Sequence, residues 1–300
     1  MKALILAMLL LISGISYGQQ EPIFAQFSTN PFLIQPALAG SSEYVELRGS
    51  YRLQWGNLPG SPRSLTASLQ GPFNEKNGGG IFFLDDELGV SKTQRIQLAY
   101  AFHIPMARDS QRLSIGAGFS YSSFQVNTDR IFFQDPSDQA IQGLDENYSA
   151  TDLAFGIHYT DERAYIGISS PNLLRNELNT GPGSAILNRL YRNLYLLGGY
   201  RFAANSFEVE PVVLLKSAQG LPLQVEGNLK VHLVEGRVMF GMGYRSGFRG
   251  SLMAGFTTPS RIHILYIADF PTSPEGRANV LYGISNELML GIDFVRGKRR

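Results

Sequence analysis

Four histidines, His103, His158, His232 and His263, are the side chains best suited to proton transfer or metal binding. They fall on separate stretches at spacings that match no ligand motif, so each reads as a hydrogen-bonding group rather than a metal ligand. The chain has no cysteine, which removes thiolate metal sites and disulfides. Serine is abundant, but no G-x-S-x-G elbow occurs. The carboxylates Asp85-Asp86-Glu87 and Asp135-Pro136-Ser137-Asp138 read as solvated loop residues, with a weak calcium site the less favoured alternative. Glycine clusters at 78–80, 116–118 and 241–243 lack the strand-to-helix context of a phosphate cradle and fit tight turns and close strand packing. No catalytic residue, metal or cofactor emerges, and the expectation is a protein that is not an enzyme.

Another set of polar residues recurs at a spacing of two. In the stretch 43–55, Glu46, Arg48, Ser50, Arg52 and Gln54 alternate with Val45, Leu47, Tyr51, Leu53 and Trp55. A period of two puts the sets on opposite faces of an extended strand. The same parity assigns Arg95, Asp152, Glu208, Glu210, Glu226, Lys230, Arg237, Arg249, Arg261, Asp269 and Asp293 to one face of later strands. Both signs occur, so this face reads as laced with ion pairs. A ring of one sign, as in an ion-selective pore, is not visible.

The elements that carry these charges are strands along the whole chain. Leu65, Ala67 and Leu69 form one apolar stripe; Ile96, Leu98, Tyr100 and Phe102 another; Leu113, Ile115, Phe119 and Tyr121 a third. The pattern continues to Leu288, Leu290, Ile292 and Phe294. About fourteen such strands, several ending in an aromatic, predict an all-β fold, a transmembrane antiparallel β-barrel with apolar residues on lipid and charges in the lumen. No strand reads as continuously apolar, so no strand is expected to bury two apolar faces. Beyond the N-terminus no apolar run reaches the ~18 residues of a transmembrane helix.

Connection lengths agree. The longest, about Asn127 to Asn147, Pro171 to Arg189 and Phe270 to Ala278, all fall between odd and even strands. The alternate connections, such as 160–162, 203–206, 234–236 and 258–260, are tight. Long outer loops and short periplasmic turns are the asymmetry of outer-membrane barrels.

The rest of the chain divides around this barrel, taken as residues 43–295. Residues 1–18 read as a signal peptide: Lys2, then the apolar run from Ala3 to Ile12, then Ser16 and Gly18 before a cleavage site at Gln19. Residues 19–42 alternate poorly and carry Pro22, Pro31 and Pro36, so they form an irregular N-terminal arm. That arm is also rich in Phe, Leu and Ile, and should be packed against something. Fourteen strands lie between the about eight that side chains can fill and the about sixteen that hold a water channel. The arm is therefore expected to fold into, or cap, the periplasmic end of the lumen. Residues 296–300 form a basic tail. The near-neutral charge, with no internal basic block, excludes a nucleic-acid partner and leaves outer-membrane lipid as the surrounding medium.

The segment NPFLIQPALAGS, at 30–41, resembles the N-P-L-x-x-N-P-A-x-A-G signature that opens PorP/SprF-family outer-membrane proteins of Bacteroidetes type IX secretion and gliding systems. YRLQWGNLPGSPRS, at 51–64, resembles that family's Y-R-x-Q-W strand and the Pro-Arg turn after it. Asn30, Pro31, Pro36, Ala37, Ala39, Gly40, Tyr51, Arg52, Gln54, Trp55 and Pro62 occupy signature positions, while Gln35 and Leu38 depart from the usual Asn and Tyr. The resemblance implies an accessory barrel that supports export or surface retention of a large adhesin, with periplasmic peptidoglycan-binding or secretion-system proteins as partners. The N-P…P-A-L-A-G motif could equally be a structural device, with prolines fixing φ and Gly40 allowing the turn into the first strand, or a docking segment for a partner.

Overall fold

The computed structural model describes residues 25–56, 60–108, 110–126, 148–174, 192–204, 206–218, 221–247, 249–272 and 283–295. The expected signal peptide, arm residues 19–24, basic tail, carboxylates Asp135 and Asp138, and most of the three long connections lie outside them. The first strands are β1 Tyr44–Leu53, β2 Arg63–Pro72, β3 Asn77–Leu88, β4 Ser91–Pro105, β5 Arg112–Val126, β6 Tyr148–Thr160, β7 Ala164–Ser170 and β8 Asn193–Tyr200. After the two-residue β9, Phe202–Ala203, come β10 Phe207–Ala218, β11 Gln224–Leu233, β12 Val238–Arg245, β13 Arg249–Thr257, β14 Ile262–Pro271 and β15 Ser285–Val295.

Consecutive strands pair antiparallel, except that β8 and β9 do not pair with each other and both pair with β10, as one stave interrupted at Arg201. The ring closes where β15 meets β1, from Tyr44 opposite Val295 to Leu53 opposite Asn286. The result is a closed barrel of fourteen staves, as the strand rhythm predicts. Closure pairs both edges of every stave, which is what allows a sheet to cross lipid. Connections at the near end, where β1 starts and β15 stops, are all short: 73–76, 106–111, 161–163, 204–206, 234–237 and 258–261.

Alternation decides the two faces. On β4, Ile96, Leu98, Tyr100 and Phe102 are exposed, while Arg95, Gln97, Ala99, Ala101 and His103 are buried. The exposed stripes recur around the ring, from Leu47 and Tyr51 on β1 through Leu288 and Leu290 on β15. A surface this apolar is at home in lipid rather than in water.

The inner face departs from the expectation of a uniformly polar lumen. β3 runs Ile81-Phe82-Phe83-Leu84 and β10 runs Val212-Val213-Leu214-Leu215, so both are continuously apolar over four residues. Their inward members, Phe82, Leu84, Val212 and Leu214, are buried with Tyr195 and Leu197 of β8 against Phe27, Phe32, Leu33 and Ile34. A smaller cluster joins Ala25 to Met239, Met253, Leu265, Ile267 and Met289. The barrel thus has a hydrophobic core inside it, supplied by residues that precede β1.

Asp85, Asp86 and Glu87 are strand residues, not loop residues. They lie in β3 opposite Gln94, Thr93 and Lys92. Asp85 pairs with Lys92 at 3.1 Å and accepts from Gln94, while Asp86 accepts from Ser64. Cross-strand partners, rather than solvent alone, hold these carboxylates.

Candidate functional site

Residues 25–42 lie inside the barrel and include three short 3₁₀ turns, Ala25–Ser28, Pro31–Leu33 and Pro36–Leu38. Proline opens the second and third turns, where its missing N–H is no loss and its fixed φ suits the first helical position. Gln35 caps the third turn, its Oε1 accepting the Ala37 N–H at 3.4 Å. Gly40 has φ +63°, and a Cβ there would overlap the backbone of Gly71 and Gly78, so only glycine fits the turn toward β1.

The arm descends the wall in register with the polar row of β2. Gln26 donates to Ser50 and, at 3.1 Å, to Thr66; Asn30 donates to Ser68 at 3.2 Å; the Gly40 N–H donates to Gln70 at 3.3 Å. Donors from other strands take the arm's carbonyls. Lys230 Nζ reaches Ser28 O at 2.7 Å, Ser169 reaches Ile34 O at 2.7 Å, His103 reaches Ala39 O at 3.2 Å and Arg112 reaches Ser41 O at 2.9 Å. Gln35 sends its amide to the carbonyls of Ile157 and Ile168, both at 3.2 Å.

Inward-facing glycines make room for this arm. A Cβ on Gly80 would press on the Phe32 ring, one on Gly116 would overlap the backbone of Ala37, and ones on Gly156 and Gly167 would overlap the Gln35 amide. For Gly78, Gly80 and Gly116 the close approach is therefore to the arm, not only between neighbouring strands.

Charged residues form two tiers. In the far tier, Arg52 pairs with Asp269 and, at 3.2 Å, with Glu287. Glu287 also accepts the Ala25 N–H at 3.2 Å, tying the arm to this tier. Beside it Arg245 holds Glu226 bidentately, at 2.7 and 2.8 Å. In the near tier, Arg48 pairs with Asp293 at 2.6 Å, and Asp293 also holds His263 at 2.7 Å. Glu210 is the second hub, with Lys230 at 3.0 Å, His232 at 3.1 Å and Tyr165 at 2.8 Å. Glu46 accepts from Gln70 at 2.8 Å, and Arg95 donates to Ser122 at 3.1 Å.

Glu208, Glu210 and His232 are the one group among the described residues whose ligand atoms gather as a metal site would, within 4.8 Å of one another. The Lys230 ammonium, 3.0 Å from Glu210, already supplies positive charge there. The donor set therefore fits an ion-paired cluster better than a cation site.

The signature residues are not gathered into one site. Asn30, Pro31, Pro36, Ala37 and Gly40 lie within the lumen, and Arg52 anchors the far tier. Tyr51 faces outward, exposed. Trp55 has φ +51° and sits at the far turn, where its carbonyl accepts from Ser61 and the Arg249 guanidinium lies 5.6 Å from its ring. Pro62 closes the same turn by accepting from the Gln54 N–H at 2.9 Å. Among the charge candidates, Arg237 and Arg261 are exposed in near-end turns instead of on the inner wall, because the strands end before them. Arg261 lies over the Tyr44 ring at 4.8 Å. Arg245 and Glu287 were not singled out by the sequence, although both share parity with inner-face residues, Arg245 with Met239 and Glu287 with Asp293.

A cavity of about 430 Å³ remains between the arm and the near-end turns, reaching from Arg237 and Thr257 up to Phe27 and Met289.

Solved structures with this architecture are outer-membrane barrels. The toluene transporter TbuX of Ralstonia pickettii aligns with TM-score 0.56 and 10% identity over 88% of this chain and 93% of its own. The toluene transporter TodX of P. putida aligns with TM-score 0.55 and 9% identity over 89% and 95%. At such identities the likeness concerns the fold alone. A search of curated protein sequences finds no match. The family model described as type IX secretion system membrane protein PorP/SprF matches residues 16–291. Over nearly its whole length, arm and barrel together, the chain therefore belongs to the PorP/SprF family of type IX secretion membrane proteins.

Proposed function

We propose that this protein is a non-enzymatic outer-membrane accessory of type IX secretion that supports export or surface attachment of a large adhesin. The near end of the barrel faces the periplasm, where secretion-system or peptidoglycan-binding proteins meet the short turns. The far loops face outward and hold the secreted chain. Maturation removes residues 1–18. The seating of the arm supports this role most. Residues 25–42 occupy the lumen and use its hydrogen-bonding rows, which suits a docking platform better than a wide diffusion pore. Deleting the gene in the native host should leave general permeability unchanged and remove one large protein from the cell surface. Normal surface display in the deletion strain would refute the role.

A second function, passage of a small solute, is favoured by the residual cavity, part of whose lining is apolar. Purified barrel in a planar bilayer separates the two. A channel predicts discrete conductance from the full chain, or uptake by loaded liposomes. An accessory predicts neither, with conductance appearing only when residues 19–40 are deleted.

A further inference from the structure

The near-end cavity has a mixed lining. Its apolar part is built from Phe27, Leu197, Val212, Met239, Leu265 and Met289. The lining also carries five basic groups, Arg48, Lys230, Arg112, Arg201 and Arg237, and two carboxylates, Glu46 and Glu210. Arg48 and Lys230 are already engaged, with Asp293 at 2.6 Å and Glu210 at 3.0 Å. Among the described residues, Arg112, Arg201 and Arg237 have no carboxylate within ion-pair distance. Arg112 spends one nitrogen on Ser41 O, and its buried Nε has no hydrogen-bond partner. His158 is 3% exposed and lines the same cavity with a buried Nδ1 that has no partner.

Register puts these groups side by side. Arg112 of β5 is opposite Thr160 of β6, two residues from inward-facing His158. Thr160 is opposite Tyr165 of β7, whose ring stacks on His158 at 5.9 Å. Arg201 follows Tyr200, which is opposite Ala164 at the start of β7. Four consecutive staves thus present two unpaired guanidiniums and an unsatisfied imidazole to one pocket.

We infer that this cavity is a binding site for an organic carboxylate with a compact apolar body, its charged end against Arg112 and Arg201 and its body against the methionine and leucine side chains of the lining. Guanidinium forks match carboxylate geometry and bind it by two charge-assisted hydrogen bonds. The volume lies within the ~300–1,000 Å³ range of small-molecule pockets. Such a group could belong to a free acid or to the C-terminal residue of a polypeptide. The site stands independently of the secretion role, since it rests on the cavity alone.

Isothermal titration of the full-length mature barrel in zwitterionic nanodiscs tests it with hexanoate, hexanamide, acetyl-Gly-Leu and acetyl-Gly-Leu amide. Hexanoate should bind one site per barrel and saturate, with hexanamide at least about tenfold weaker. Arg201→Gln, whose parent side chain makes no hydrogen bond or ion pair among the described residues, should weaken hexanoate by about tenfold, and Arg112→Gln by at least as much. Arg112→Lys should retain part of the affinity. Heat-modifiable migration on gels reports that each variant is folded. Acetyl-Gly-Leu binding in preference to its amide would assign the site to chain termini, and its failure beside hexanoate binding would assign it to free acids. Equal binding of acid and amide, unchanged affinity in folded Arg201→Gln, or no saturable binding of either acid would overturn the inference.

Discussion

Phe32→Ala tests whether the arm is held in the lumen by its own apolar contacts. The Phe32 ring is 1% exposed, packed with Phe82, Leu84 and the rest of the inner core, and it fills the space that Gly80 leaves open. Truncating a buried Phe removes the transfer free energy of the ring and leaves a cavity, together about 3–5 kcal/mol. If the loss falls on the balance between seated and unseated arm, the lower figure raises the unseated fraction by about two powers of ten, at roughly 1.4 kcal/mol per tenfold. The absence of native cysteine supplies the assay. Ser28 is buried and its hydroxyl has no hydrogen-bond partner, so Ser28→Cys adds a reporter without removing a bond. Maleimide labelling of this cysteine, in barrels that keep their heat-modifiable migration, should be slow in the parent and about a hundredfold faster with Phe32→Ala. Fast labelling in the parent, or an unchanged rate in the variant, would refute the reasoning.

Arg52→Met leaves Asp269 and Glu287 buried without their shared partner, and should lower unfolding stability in urea by about 3–5 kcal/mol. The triple replacement Arg52→Met, Asp269→Asn, Glu287→Gln should recover much of that loss, and no recovery would show that the ion pairs themselves stabilise the far tier. Leu98→Arg puts a charge at the middle of β4 on an outward face, where Leu98 is 57% exposed, and should cost about 2–4 kcal/mol in refolding into lipid vesicles; a neutral effect would argue against lipid contact there. Gly40→Ala and Gly236→Ala both place a Cβ at positive φ, but the first meets the backbone of Gly71 and Gly78 and the second meets nothing within 4 Å. Gly236→Ala should cost about 1 kcal/mol, and Gly40→Ala clearly more, with faster Ser28→Cys labelling as its signature.

The barrel was legible because lipid leaves the same mark on strand after strand. In β1, Leu47 and Tyr51 are exposed while Arg48, Ser50 and Arg52 are buried, as their parity requires. The inner face was harder to read, because two different neighbours meet it. Where charges face one another, parity identifies them, and Arg245 and Glu287 were recoverable in this way. Where the wall packs against the arm's apolar side chains, its residues are apolar or glycine, and alternation disappears. Phe82, Leu84, Val212 and Leu214 look inward against Phe27, Phe32, Leu33 and Ile34, so β3 and β10 carry apolar side chains on both faces. The apolar runs at 81–84 and 212–215 were the available signal, since a strand apolar on both faces must have apolar material on each side. The pairing of Arg52 with Asp269 and Glu287 could not be read from parity, because it joins residues brought together only when β15 closes on β1.

An irregular segment at membrane depth is tolerated only when protein satisfies its backbone. The arm meets that condition in two ways. Its 3₁₀ turns use some of its own amides, as in Ile34 N to Pro31 O at 3.1 Å and Ala39 N to Pro36 O at 3.1 Å, and its prolines have no N–H to satisfy. Four of its carbonyls, those of Ser28, Ile34, Ala39 and Ser41, are each taken by a donor from a different strand, Lys230, Ser169, His103 and Arg112. Those donors span β4 to β11, so a seated arm contacts much of the ring, and an unseated one leaves an ammonium, a hydroxyl, an imidazole and a guanidinium without these partners. Water can replace a hydrogen bond to Lys230 or Arg112, but it cannot fill the space beside Gly80 and Gly116 with apolar contact. The glycines and the core around Phe32 therefore hold the arm in place, while the hydrogen bonds fix its register along the wall.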